Sequence, residues 1–141
     1  MSISDLSLRL YRKTIKRFQS AHLATHWLMT HAAIPILEKS SGFRTMPDDP
    51  FWFRLELLTH RHERETIAQL DQLVRPGMTM LDIGAHVGYY ARRYAKMVGS
   101  HGRIFAFEPH PRTFATLQHN VKRLPQVTAV QMTLAEQERT A

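Results

Sequence analysis

Cysteine is absent from the 141 residues. That excludes disulfide bridges, thiolate zinc sites and a cysteine nucleophile, and it is compatible with a reducing compartment. Long apolar runs are absent as well. A membrane-spanning helix needs about 18 or more consecutive apolar residues. The best stretch, Leu23 to Leu37, is interrupted by Thr25, His26, Thr30, His31 and Pro35. No apolar segment directly follows the early basic residues and no small-residue cleavage pattern is present, so no secretory leader is expected and the reading is a cytoplasmic protein. Acidic residues are few, 12 against 19 Lys and Arg, which leaves a formal net charge of +7. Residues 1–75 hold 11 basic and 8 acidic side chains, and residues 76–141 hold 8 and 4. An excess so mild and so evenly spread predicts no nucleic-acid partner.

What is present is an ordinary globular composition, 43% hydrophobic and 22% charged, without internal repeats or low-complexity tracts. Residues 5–31 read as a helix, with Leu8, Tyr11, Ile15, Phe18 and His22 recurring at spacings of 3 and 4. Arg9, Arg12, Lys13, Lys16 and Arg17 fall largely off that stripe. A solvated face is the plain interpretation, and peripheral contact with an anionic membrane is the alternative. Residues 40–50 are rich in turn formers and read as a linker between a helical N-terminal extension, 1–45, and a second domain, 51–141. Phe51 to Leu58 alternates and predicts a short strand, and Glu63 to Val74 returns to helical spacing before Pro76 and Gly77.

Beyond Gly77, short apolar runs alternate with amphipathic helices: Met78 to Ile83, Tyr89 to Val98, Arg103 to Phe107, Pro111 to Leu124 and Val127 to Met132. This order predicts an α/β fold, a parallel sheet with flanking helices.

The chemistry is concentrated in Leu81-Asp82-Ile83-Gly84-Ala85-His86-Val87-Gly88-Tyr89-Tyr90, which leaves a strand and opens a helix. Glycines at such a turn let a ligand approach the backbone. The next strand ends at Glu108, 20 residues beyond Gly88, where a carboxylate can accept hydrogen bonds from both ribose hydroxyls of an adenosyl ligand. A dinucleotide would call for Gly-x-Gly-x-x-Gly, but that frame, begun at Gly84, meets His86 and Tyr89 where glycines are needed. Asp82 in the turn would repel a pyrophosphate, whereas it suits the ammonium and sulfonium charges of S-adenosylmethionine. A phosphate loop fails for want of Gly-Lys-Ser/Thr.

These residues resemble the FkbM-type S-adenosylmethionine-dependent methyltransferases, in which a run like "LDIGANVGYY" precedes "AFEP.P". The helix continuing from Phe114 to Asn120-Val121 and the segment Val127 to Glu136 extend the likeness, over roughly residues 63–140. The resemblance implies a Rossmann-like methyltransferase fold and S-adenosylmethionine as cofactor. It implies that Asp82, Gly84, Ala85, His86 and Gly88 hold the methionine end, that Glu108 binds ribose, that Pro109 and His110 border the adenine, and that Thr133 to Glu136 touch its edge. His86 stands where the family has Asn, and Ala135-Glu136 where it has Gly-Asp. The implied activity is O-methylation of a small-molecule or glycan hydroxyl.

A complete fold of this class has seven strands, and residues 78–141 supply three. The expectation is therefore a domain whose C-terminal half of the sheet is absent, with an exposed sheet edge open to self-association and little methyl transfer by this chain alone. No catalytic base is assignable. His86, His101, His110 and His119 read as solvent-exposed or structural. The pairs His22/His26 and His60/His62 lack a third ligand at zinc spacing, so no metal is expected.

Overall fold

A computed structural model describes residues 19–133, with side chains from residue 23 onward. The basic cluster and most of the apolar stripe expected on the first helix, and residues 134–136 of the expected adenine edge, lie outside the described residues. The chain divides into two compact units, one ending at Ser41 and the other beginning at Gly42.

The described part of the first unit is helical throughout: α1 (Gln19–Leu28), a π-helical turn (Met29–Ala33) and α2 (Ile34–Ser41). Pro35 has no N–H and its ring would crowd the carbonyl one turn back. The backbone widens there, and the Ile34 N–H reaches back to the Met29 carbonyl. Among the described residues, no helix is long and apolar enough to cross a membrane.

The second unit opens with α3 (Phe51–Leu58) and α4 (Arg64–Leu73). The strand expected at Phe51 to Leu58 is thus a helix. Pro50 stands at its N-cap and pre-sets the entry to the first turn. Its buried side chains, Arg54, Leu57 and Leu58, follow a spacing of 3 and 1, one face of a helix. Apolar residues on both faces had imitated strand alternation.

From there strand and helix alternate as the sequence indicates: β1 (Thr79–Ile83), α5 (Tyr89–Val98), β2 (Arg103–Phe107), α6 (Pro111–Val121) and β3 (Val127–Val130). The sheet is parallel in the order β1-β2-β3, with Ile83 registered on Phe107 and Phe107 on Val130. The carboxyl ends of all three strands therefore meet on one side. In open α/β sheets that is where ligands bind.

One continuous core supports this edge. Ala91, Tyr94, Ala95 and Val98 of α5 and Leu117 and Val121 of α6 pack with Ile104 and Ala106 of β2. The spacing of the α5 set is that of one helical face. Across the sheet, Leu81 and Ile83 stay more than half exposed. Within the described residues β1 pairs only with β2.

Candidate functional site

The β1–α5 turn is shaped by three left-handed residues, Gly84 (φ 76°), His86 (φ 50°) and Gly88 (φ 82°). Glycine occupies two of them without steric cost, whereas His86 adopts the conformation against its Cβ. Gly88 is further demanded by packing, since a Cβ there would lie 2.6 Å from Leu117 Cδ1. Gly84 is different. A Cβ there would meet nothing within 4 Å, so the backbone faces open space.

Four N–H groups of the turn, those of Gly84, Ala85, His86 and Gly88, are directed inward. Those of Gly84 and Ala85 both donate to the Phe107 carbonyl, at 3.0 and 2.9 Å, and that of Gly88 donates to the Ala85 carbonyl at 2.7 Å. The His86 N–H donates to Glu108 Oε2 at 3.0 Å. A pyrophosphate would need donors aimed outward, and these four are already engaged within the fold.

Glu108 is buried at the tip of β2. Its second oxygen, Oε1, accepts the His110 N–H at 2.9 Å. Each carboxylate oxygen has two lone pairs, so both retain an acceptor position for a hydroxyl. Pro109 and His110, which follow, are exposed. His110 caps α6, with Pro111 at its first helical position. Thr133, the first residue of the expected adenine edge, is exposed.

Asp82 lies on the face of β1 opposite Leu81 and Ile83. Its Oδ2 accepts the Ala91 N–H of the first turn of α5 at 3.2 Å. Burial pushes its carboxyl up to about 6, partly offset by that hydrogen bond. Among the described residues no cation acts on it; burial and the Ala91 N–H set its value.

Two further residues fix the turn. Asn120 is buried, and its Nδ2 donates to the Val87 carbonyl at 2.8 Å and to the Arg44 carbonyl at 2.8 Å. Its Oδ1 accepts the Arg44 N–H at 2.8 Å. It ties the turn to the Arg44 segment, which lies 76 residues before Asn120 in the sequence. The His86 ring lies 3.5 Å from Asp49 Oδ2, through Nε2, and against Phe53. That Asp49 oxygen is buried with no hydrogen-bond partner among the described residues. Around it, Tyr89 packs against His60 and His62, and Tyr90 donates its hydroxyl to Glu63. Asp49, Phe53 and Glu63 carry no motif, so the sequence gives no signal for this cluster. Asn120 stood in a recognisable helix pattern, but the fold alone reveals its bonds. Among the described residues, no three His, Asp or Glu side chains group as metal ligands.

A parallel sheet, a glycine turn with inward donors and a carboxylate at the tip of the second strand define a class I methyltransferase fold. The family model for protein-L-isoaspartate(D-aspartate) O-methyltransferase matches residues 59–137, more than half of the chain, and the chain belongs to that family. It is also similar to ribosomal RNA large subunit methyltransferase E of Xanthomonas campestris pv. campestris, with 29% identity over 84 residues, 58% of this chain and 34% of that protein. The chain thus spans about a third of the length of the curated relatives it matches. Among solved structures, it is similar to a SAM-dependent methyltransferase from Aquifex aeolicus (TM-score 0.46, 26% identity, covering 70% of this chain and 46% of that one). Another is Aeropyrum pernix fibrillarin with natively bound S-adenosyl-L-methionine (TM-score 0.41, 25% identity, 43% and 26%).

These relatives correct the expectation of a small-molecule or glycan acceptor with no nucleic-acid partner, because those matched over 58% of the chain are named for ribosomal RNA. The physical reason is twofold. The motif of the β1–α5 turn carries no information about an acceptor, and charge that is dispersed along the sequence is gathered by the fold.

Proposed function

We propose that this chain forms the S-adenosylmethionine-binding part of a methyltransferase that modifies RNA. The inward donation of the turn's N–H groups carries the reading, because it disfavours a phosphate-bearing cofactor while two carboxylates remain available. The residues present fit the cofactor. Glu108 offers acceptor positions to the ribose hydroxyls, the open space at Gly84 admits the methionine portion along the Gly84–Gly88 turn, and Asp82 is placed to balance its positive charge. Pro109 and His110 border the adenine in this reading. When bound, the cofactor supplies a methyl group on a positively charged sulfur. The chain's own part is to hold and orient it, with Asn120 and Glu108 fixing the turn from behind.

The RNA acceptor is supported by the relatives named above. A protein carboxylate is the second reading, favoured by the family model. The FkbM-type likeness rests on the motifs around Met80 to Tyr90 and Phe105 to Pro111, and the sugar acceptor it implied is not retained.

Calorimetric titration of the 141-residue chain tests the cofactor reading. S-adenosylmethionine and S-adenosylhomocysteine should bind and NADH should not. A folded chain that binds neither adenosyl ligand, or that prefers NADH, refutes it. Transfer of tritiated methyl to RNA, compared with an isoaspartyl peptide, separates the two acceptors.

A further inference from the structure

The carboxyl end of α6 gathers cations that are far apart in the sequence. Asn120 binds the Arg44 backbone through both its N–H and its carbonyl, which brings Arg44 beside the helix. Arg92 of α5 donates to the Asn120 carbonyl at 3.2 Å and to the Gly42 carbonyl at 3.0 Å. Lys122 and Arg123 follow α6 directly and are exposed, as is Arg44. His119 stands among them, half-buried. The opposite arrangement holds elsewhere in the unit, where Arg93 pairs with Asp71 and Arg112 with Asp48, each at 2.8 Å.

We propose that Arg44, Arg92, His119, Lys122 and Arg123 form a docking surface for the phosphate backbone of RNA. The inference rests on the RNA-acceptor reading and gives it a location on the chain. Clustered cations that track phosphates are the sequence-independent element of nucleic-acid binding. The patch adjoins the cofactor turn, since Asn120 also holds the Val87 carbonyl. A lipid surface fits less well. Interfacial binding needs exposed apolar side chains beside the charges, and none of the large exposed hydrophobic residues belongs to these segments. The field around His119 agrees with a phosphate site. Its imidazole is held below the usual histidine value, first by burial and then by Arg44, Lys122, Arg123 and Arg92. An arriving phosphate offsets those cations and raises it. Cations at a helix C-terminus also stabilise the helix, so the test must separate binding from folding.

The experiment uses the 141-residue chain and a fluorescein-labelled, mixed-sequence RNA 20-mer, read by anisotropy at 50 and 200 mM KCl. Four phosphate contacts on a single strand give a log–log salt slope of about −3, hence a loss of about 50-fold over that range. The variant Lys122→Glu/Arg123→Glu should bind at least about tenfold more weakly with a shallower slope, while its affinity for S-adenosylmethionine is unchanged. In the wild type, RNA should raise the His119 titration midpoint followed by NMR. Equal RNA binding by the folded variant overturns the proposal, as does a wild type that ignores RNA. Binding of poly-glutamate, or of phosphatidylserine vesicles, in preference to RNA overturns it in favour of an acidic protein or a membrane. A chain that binds S-adenosylmethionine but not RNA loses only this docking surface. A chain that binds RNA but not S-adenosylmethionine loses the cofactor reading instead.

Discussion

The Glu108 carboxylate accepts the backbone N–H of His86, 22 residues earlier in the chain, at 3.0 Å. The bond joins the tip of β2 to the left-handed His86 of the β1–α5 turn, and the same carboxylate accepts from His110. Glu108 is therefore both a structural acceptor and the proposed ribose ligand. Replacing it with Ala orphans two N–H groups at about 1–3 kcal/mol each. Glu108→Ala should lower unfolding stability in urea by about 2–6 kcal/mol and abolish S-adenosylmethionine binding by calorimetry. Stability near wild type would show that the turn does not depend on it.

Asp82 governs a pH effect. Its carboxyl sits at about 6 in the folded chain, against an ordinary value of 3.8, because burial disfavours the charged form. Between those values the folded chain holds the proton more tightly than the unfolded one, so stability falls as pH rises from about 4 to 6. Undiminished, that difference would be worth about 3 kcal/mol, and residual water contact reduces it to about 1–2 kcal/mol. Asp82→Asn should remove this slope in denaturation curves collected between pH 4 and 7. If Asp82 balances the cofactor's charge, S-adenosylmethionine should bind more weakly below pH 6 and release a proton on binding, measurable in buffers of different ionisation enthalpy.

Gly88 and Gly84 share a positive φ but differ in their surroundings. Gly88→Ala meets Leu117 Cδ1 at 2.6 Å and Val121 Cγ1 at 3.4 Å. Adding overpacking to the left-handed penalty predicts a loss of about 2–5 kcal/mol. Gly84→Ala meets nothing within 4 Å and should cost only the backbone penalty, about 1–2 kcal/mol. Its larger effect should be on cofactor affinity. The reverse order of stabilities in urea would contradict the packing of α5 on α6.

Asn120→Leu removes three hydrogen bonds from a buried amide. The Arg44 N–H and the Val87 carbonyl lose their side-chain partner, and the expected destabilisation is about 2–4 kcal/mol. Hydrogen exchange should speed up at Arg44 and within the Gly84–Gly88 turn together. Faster exchange at one alone would mean that Asn120 does not couple them.

The regular α/β part was legible because each local signal agreed with the fold. Tyr89–Val98 and Arg103–Phe107 are bounded as their periodicity indicates, with a glycine turn before the first and a strand-end carboxylate after the second. Phe51–Leu58 was not legible. Phe51, Phe53 and Leu55 alternate with Trp52, Arg54 and Glu56, while the side chains that become buried are Arg54, Leu57 and Leu58. A buried arginine is a tertiary fact, since Arg54 Nε donates to Thr45 Oγ1 at 2.7 Å. The site divides the same way. The places of Asp82 on β1, of Gly84 and Gly88 in the turn and of Glu108 at the strand end could be read because their spacing reflects local geometry. Asp49 beside His86, and Arg44 beside Asn120, are joined only by the folded chain. The even spread of charge in the sequence concealed the basic patch for the same reason.

The inward-facing turn also bears on how a ligand would be received. Ordering backbone costs about 1–2 kcal/mol per residue in lost conformational freedom. At Gly84, Ala85, His86 and Gly88 the hydrogen bonds that repay it are all internal, so the expense is met during folding and none is deferred to binding. The four residues are thus held by the fold itself, and a ligand there would meet backbone that is already ordered.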